Sequence, residues 1–345
     1  TINDPNYEGS ANGDLVIGKA LASMTLGDLS QTYDGGAKTP SVTTTPEGLA
    51  VDVTYDGNTE APVNAGIYAV AATINDANYE GSASDTLNIG KATTTVALGG
   101  LVQTYDGGAK TPSVTTTPEG LAVDVTYDGS ADAPVNAGTY SVAATINDTN
   151  YEGSTSDTLT IGKATAVVTL DNLLATYDGS AKSASATTNP VGLAVGVTYD
   201  ASVTAPTSPG TYTVVATIDD ANYVGTASGS LEIGKAVGSI ALGDMAQTYD
   251  GGIKTASATT TPEGLAVDVT YNGLSTAPTG AGTYAVVATI NDPNYEGSAN
   301  GDLVIGKALA SMTLGDLSQT YDGGAKTASV ATTPEGLVVD VTYAG

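Results

Sequence analysis

Apolar and polar residues alternate along this chain with a period of two. Leu49, Val51, Val53 and Tyr55 fall on one face of an extended segment, with Ala50, Asp52 and Thr54 on the other. Tyr68, Val70, Ala72 and Ile74 make a second such face, Leu87 and Ile89 a third, and Met24 with Leu26 heads a fourth, shorter run. Successive side chains of a strand point to opposite faces, so each run reads as a strand with one side toward a core. Turn formers separate the runs: Asp34-Gly35-Gly36, Pro46-Glu47-Gly48, Asp56-Gly57 and Asn64-Ala65-Gly66. No segment of helical length carries a 3.6-residue stripe, and Thr, Val, Tyr and Gly favour strands and turns over helix. The expected fold is all-β, built from small antiparallel β-sandwiches with about six or seven short strands each.

The pattern repeats. Tyr-Asp-Gly begins at Tyr33, Tyr105, Tyr177, Tyr249 and Tyr321, a constant spacing of 72 residues without gaps. Gly-Lys-Ala recurs with its lysine at Lys19, Lys91, Lys163, Lys235 and Lys307, and Asn-Tyr with its tyrosine at Tyr7, Tyr79, Tyr151, Tyr223 and Tyr295. Residues 1–39 reappear unchanged as 289–327. The frame divides the chain into the C-terminal part of a repeat at 1–19, four repeats at 20–91, 92–163, 164–235 and 236–307, and the N-terminal part of another at 308–345, as in a window on a longer array. Such a unit is too long for one coil of a solenoid and long enough for a small domain, though a marginal one. No Pro/Ser-rich spacer interrupts Ile89-Gly90-Lys91-Ala92-Thr93, so a tandem, elongated array with short, stiff junctions is expected.

Composition narrows the chemistry. The 345 residues include no His, Cys, Trp, Phe or Arg; ten lysines face 37 acidic residues, for a formal charge of −27. That removes Ser-His-Asp and Cys-His catalysis, thiolate nucleophiles and the usual zinc ligands. Nucleic acid is excluded as a partner, because its affinity comes mainly from cations on phosphates. No apolar run approaches the roughly 18 residues of a membrane-spanning helix, so no membrane insertion is expected of this segment. Gly13-Asp14-Leu15-Val16-Ile17-Gly18-Lys19-Ala20 has the spacing of a phosphate-binding loop but lacks the Ser/Thr after its lysine and lies in a strand pattern. Glu47, Glu60 and Glu80 sit in turns with no sign of a pocket, and the chain is not expected to be an enzyme.

Three candidate features remain. Asn75, Asp76, Asn78 and Glu80 place oxygen ligands at the alternating spacing of calcium loops, against the alternative of an Asx turn at a strand end. The fourth copy reads Asp219-Asp220-Ala221-Asn222-Tyr223-Val224, which loses the Glu and favours the turn. Each repeat holds lysine at two positions only, Lys38 and Lys91 in the first, which suits either an isopeptide cross-link to Asn or Asp or simple ion pairing beside the turn and at the junction. Of the four tyrosines per repeat, Tyr55 and Tyr68 continue inward faces, whereas Tyr33 and Tyr79 adjoin turns and are the ones open to ligand contact.

The constellation Thr-Tyr-Asp-Gly-Gly-Ala-Lys (32–38), Pro-Glu-Gly-Leu-Ala-Val-Asp-Val-Thr-Tyr (46–55), Ala-Gly-Ile-Tyr (65–68) and Asn-Tyr-Glu-Gly-Ser (78–82), closing on Ile-Gly-Lys-Ala, resembles the MBG/YDG-type tandem repeats of large bacterial surface proteins. The resemblance covers every repeat. It implies Ig-like modules, exported to the bacterial cell surface or beyond, forming an adhesin stalk or a fibre, with no catalytic residues to carry over. Expected partners are the neighbouring repeats and, in a fibre, further copies of the chain. The alternative is a multivalent binding module for host or matrix glycans or calcium. Residues 58–60 read Asn-Thr-Glu, and their counterparts Ser-Ala-Asp, Ser-Val-Thr and Leu-Ser-Thr, a drift that favours the spacer.

Overall fold

In the computed structural model, which describes residues 1–344, each complete repeat forms the same eight strands. In the first repeat these are β1 (Ala20–Leu21), β2 (Ser23–Gly27), β3 (Ser30–Thr32), β4 (Ser41–Thr45), β5 (Val51–Tyr55), β6 (Gly66–Ile74), β7 (Tyr79–Glu80) and β8 (Ser82–Gly90). A four-stranded sheet in the order β3-β8-β6-β5 faces the two-stranded β2–β4 sheet, giving a reduced Ig-like sandwich.

The long strands β6 and β8 pair antiparallel from Gly66 opposite Ile89 to Thr73 opposite Ser82, and β5 adds to the other edge of β6. Two pairings depart from the antiparallel pattern. β3 runs parallel to β8, and β1 runs parallel to β7. Alternation along one strand reports which face is buried but says nothing of the partner's direction, so these pairings leave no trace in the period-two pattern.

The inward faces meet in one core. Tyr55, Val70, Leu87 and Ile89 are buried together, with Leu26, Tyr33, Val53, Ala61, Ala65 and Tyr68 packed against them. The same cluster recurs around Tyr127, Tyr199 and Tyr271. At the Asp56-Gly57 turn both residues have positive φ, 48° and 82°, and Tyr55 and Asn58 exchange backbone hydrogen bonds across it. Gly supplies that geometry at no steric cost, and Asp56 accepts the amide of Ala69 in return.

The described residues fall into two units, Thr1–Thr165 with Asp220–Val224, and Ala166–Asp219 with Gly225–Gly345. Within each, a single lysine separates the last strand of one repeat from the first of the next: Lys91 between Ser82–Gly90 and Ala92–Thr93 in the first unit, and Lys235 between Thr226–Gly234 and Ala236–Val237 in the second. Residues 308–345 contribute the antiparallel pair Ser311–Gly315 and Ser329–Thr333.

Ser298–Gly306, the last strand of repeat 236–307, buries Leu303 and Ile305 and pairs with Gly282–Ile290 on one side and Ala246–Thr248 on the other.

Candidate functional site

The most elaborate polar geometry lies where consecutive repeats meet, and it uses the residues that the sequence singles out separately. Lys91 reaches past its own repeat and donates from Nζ to the backbone carbonyl of Asp148, at 2.5 Å. Lys19, Lys163 and Lys235 make the equivalent bond to Asp76, Asp220 and Asp292, at 2.6–2.7 Å. The acceptor carbonyl belongs in each case to the Asn-Asp-x-Asn-Tyr loop or its Asp-Asp variant, so Lys19, Lys91, Lys163 and Lys235 each cap the candidate calcium loop of the following repeat.

That loop is organised by its aspartate. Asp76 Oδ1 accepts the amides of Asn78 and Tyr79 at 2.7 and 3.1 Å, closing an Asx turn. The Asn75 amide donates to the Ala50 carbonyl, and the carbonyls of Asn78 and Glu80 accept the amides of Ala20 and Ala22 across the parallel β1–β7 pair. Glu80 follows Tyr79 in β7 and therefore points to the opposite side of the strand. Among the described residues, no group of three or more His, Cys, Asp and Glu is placed to hold a metal ion.

Two contacts of this loop had no counterpart in the sequence reading. Asn150, the counterpart of Asn78, accepts the Ala65 amide of the preceding repeat on Oδ1 at 2.9 Å and donates from Nδ2 to Asn64 Oδ1 at 3.1 Å. Asn222 does the same to Ala137 and Asn136 within the first unit. Tyr151, the counterpart of Tyr79, stands edge-on against Tyr33 of the preceding repeat, ring centroids 5.3 Å apart. Tyr105 with Tyr223 in the first unit and Tyr177 with Tyr295 in the second repeat the arrangement at 5.4 and 5.6 Å. Tyr33 packs against the core of its own repeat, as Tyr68 does, and its ring also serves the junction together with the counterpart of Tyr79. The available signal was the pair Asn-Tyr, which persists in the copy where the following Glu becomes Val224.

The glycine after this loop is fixed by crowding. A Cβ on Gly81 would lie 2.4 Å from the carbonyl oxygen of Ala22, and one on Gly153 would lie 2.4 Å from that of Thr94. The loop therefore lies flat against the strand that opens its own repeat. At the end of repeat 236–307, Tyr249, Ala281 and Lys307, the counterparts of Tyr33, Ala65 and Lys91, line a cavity of about 240 Å³ together with Leu309, Pro334 and Leu337 of residues 308–345.

The third pair of repeats departs from the pattern. Ser208-Pro209 stands where the first has Asn64-Ala65, and proline has no amide to donate to Asn294. The lysine bond and the tyrosine pair remain there.

The second lysine of each repeat stays inside its own loop. Lys38 Nζ meets Asp34 Oδ2 at 2.5 Å, and Lys110, Lys182 and Lys254 pair likewise with Asp106, Asp178 and Asp250 at 2.5–2.6 Å. Lys326 pairs with Asp322 in the same way. The lysine stem is mostly buried while the aspartate is 64% exposed, as expected of a side chain that lays its methylenes on apolar surface. The Lys38 hydrogen bond, helped by the Gly36 amide, holds the Asp34 carboxyl below its usual range.

Period-two strands, reduced sandwiches and direct repeat-to-repeat contacts define a tandem array of Ig-like domains. The match to the MBG domain extends over residues 1–21, 22–93, 94–165, 166–237, 238–309 and 310–345, and the chain belongs to that family. Among solved structures it is similar to the ICAM-5 D1–D4 ectodomain fragment (12% identity, 82% of this chain and 99% of that one, TM-score 0.32). It is also similar to Sidekick-1 immunoglobulin domains 1–5 (12%, 83% and 81%, TM-score 0.26) and to the extracellular domains 3–5 of Drosophila OTK (9%, 85% and 95%, TM-score 0.25). No curated protein matches the sequence.

Proposed function

We propose that the chain is a structural segment, a stalk or fibre section of a large bacterial cell-surface or extracellular protein, whose repeats set the distance between other domains. The observation that carries this reading is the junction: one lysine between strands, a lysine-to-carbonyl bond, and a tyrosine pair recur at consecutive repeats. Contacts that recur at each step stiffen a linear array, because each repeat is held by its neighbours only. The charge of −27 spread over the repeats opposes collapse and side-by-side association.

Small-angle scattering on the chain at physiological salt tests the reading. An extended particle whose maximum dimension grows linearly as repeats are added supports it. A compact particle, or repeats that move independently of one another, contradicts it. Surface display followed by protease accessibility tests the location, and a chain retained inside the cell when expressed in its full natural context refutes it.

A further inference from the structure

From the tyrosine pairs between consecutive repeats, we propose that Tyr33–Tyr151, Tyr105–Tyr223 and Tyr177–Tyr295 are sites of oxidative coupling, at which a dityrosine bond closes each junction covalently. The proposal is independent of where the chain acts and stands on three observations.

The first is placement. The three pairs have centroid separations of 5.3–5.6 Å and interplanar angles of 81–83°, so ring edges already face a partner ring across the junction. Coupling requires a ring rotation and a small approach that bring two ortho carbons together, and local side-chain motion is far faster than enzymatic turnover. The second is the state of the tyrosines in and beside each core; Tyr7, Tyr249, Tyr321 and Tyr343 are exposed, and coupling through them is an outcome the test below reads. Tyr55, Tyr127, Tyr199 and Tyr271 are 5–6% exposed in the core, and burial pushes the phenols of Tyr55 and Tyr127 up. The hydroxyls of Tyr68, Tyr140, Tyr212 and Tyr284 are each tied to a backbone carbonyl four residues back. The third is composition: with no Cys and no Trp and only three Met, tyrosine is the principal site at which an oxidant can act. A chain without cysteine has no disulfide with which to join its marginal domains.

The chemistry balances with a peroxide oxidant turned over by a haem peroxidase. Each phenol gives up one electron and its hydroxyl proton and becomes a phenoxyl radical. The two radicals join through ring carbons ortho to oxygen, forming one carbon–carbon bond, and the hydrogen on each of those carbons moves to its oxygen as the ring regains aromaticity. Overall, two tyrosines and one hydrogen peroxide give one dityrosine and two waters.

The test treats the full chain at micromolar concentration with hydrogen peroxide and a haem peroxidase, then reads dityrosine fluorescence and maps cross-linked peptides, each lighter by two hydrogens. Tyr105–Tyr223 is the cleanest pair to read, because Val-Gln-Thr-Tyr and Asn-Tyr-Val-Gly each occur once. An effective concentration in the millimolar range favours coupling within the chain over coupling between chains about a thousandfold. The expected products are the three named pairs, lost when the chain is oxidised in urea. Tyr223→Phe, which keeps the ring, should remove one pair and leave the other two as internal controls. The proposal is overturned if the main products join separate chains, if they join other tyrosines, if the same distribution forms in urea, or if only methionine is oxidised.

Discussion

Asn150 offers the sharpest measure of what a junction is worth, because the chain contains its own control. Asn150→Ala removes the acceptor of the Ala65 amide, a bond of 2.9 Å in a partly buried position, and the weaker contact to Asn64. Leaving a partly buried amide unpaired costs about 1–2 kcal/mol, less than for a fully buried group because water can partly replace the lost oxygen. Asn294→Ala is the same substitution at the junction where Pro209 replaces Ala65. No amide exists there to be orphaned, so the cost should stay within about 0.5 kcal/mol, as for an ordinary surface change. Hydrogen exchange resolved to the Ala65 amide reads the difference directly: in Asn150→Ala its protection should fall about 5–30-fold, with amides of the repeat core unchanged. Asn222→Ala should do the same to Ala137. Equal effects of Asn150→Ala and Asn294→Ala on overall stability, or unchanged protection at Ala65, would mean that Asn150 does not hold the Ala65 amide in solution.

Other expectations follow from the same geometry. Gly153→Ala drives a methyl into the Thr94 carbonyl, and thermal unfolding should show a loss of about 1–3 kcal/mol. Gly162→Ala, whose Cβ would meet nothing nearer than 3.7 Å, should be neutral or mildly stabilising. Leu303→Ala empties a fully buried site and should cost about 2–5 kcal/mol, read from the thermal unfolding curve. The Asp34 carboxyl is held below its ordinary value of 3.8 by Lys38, so the pair adds stability above that value and loses it as the pH falls through the depressed one. Carboxyl titration by NMR should place the Asp34 midpoint below 3.8, and Lys38→Gln should return it toward that value; an unmoved midpoint would mean the ion pair is not populated in solution.

Much of the fold was legible because it rests on local rules. Period-two alternation places Val53, Tyr55, Val70, Leu87 and Ile89 toward the core, since a strand has only two faces and water selects between them. The Asp56-Gly57 turn was legible for a similar reason, because positive φ at successive residues restricts the residue types that fit. The junction was legible only in parts. Lys91, Asp148 and Asn150 stood out as recurrent polar residues, yet nothing in their spacing shows that the lysine of one repeat meets the loop of the next. Tyr33 and Tyr151 form a pair only through the packing of two domains.

Sequence alone determined that Ser-Ala-Asn-Gly-Asp-Leu-Val-Ile-Gly can be a strand with Leu and Ile on one face, and that the unit containing it recurs every 72 residues. Tertiary structure decided which strands stand beside it: at 298–306 it pairs antiparallel with Gly282–Ile290 and parallel with Ala246–Thr248. Alternation is a property of the segment, but the hydrogen bonds and the buried area that stabilise a strand belong to its neighbours. The parallel direction of β3 and β1, the docking of each Asn-Tyr loop, and the pairing of tyrosines between repeats are decided in the same way, by what stands beside each segment in space.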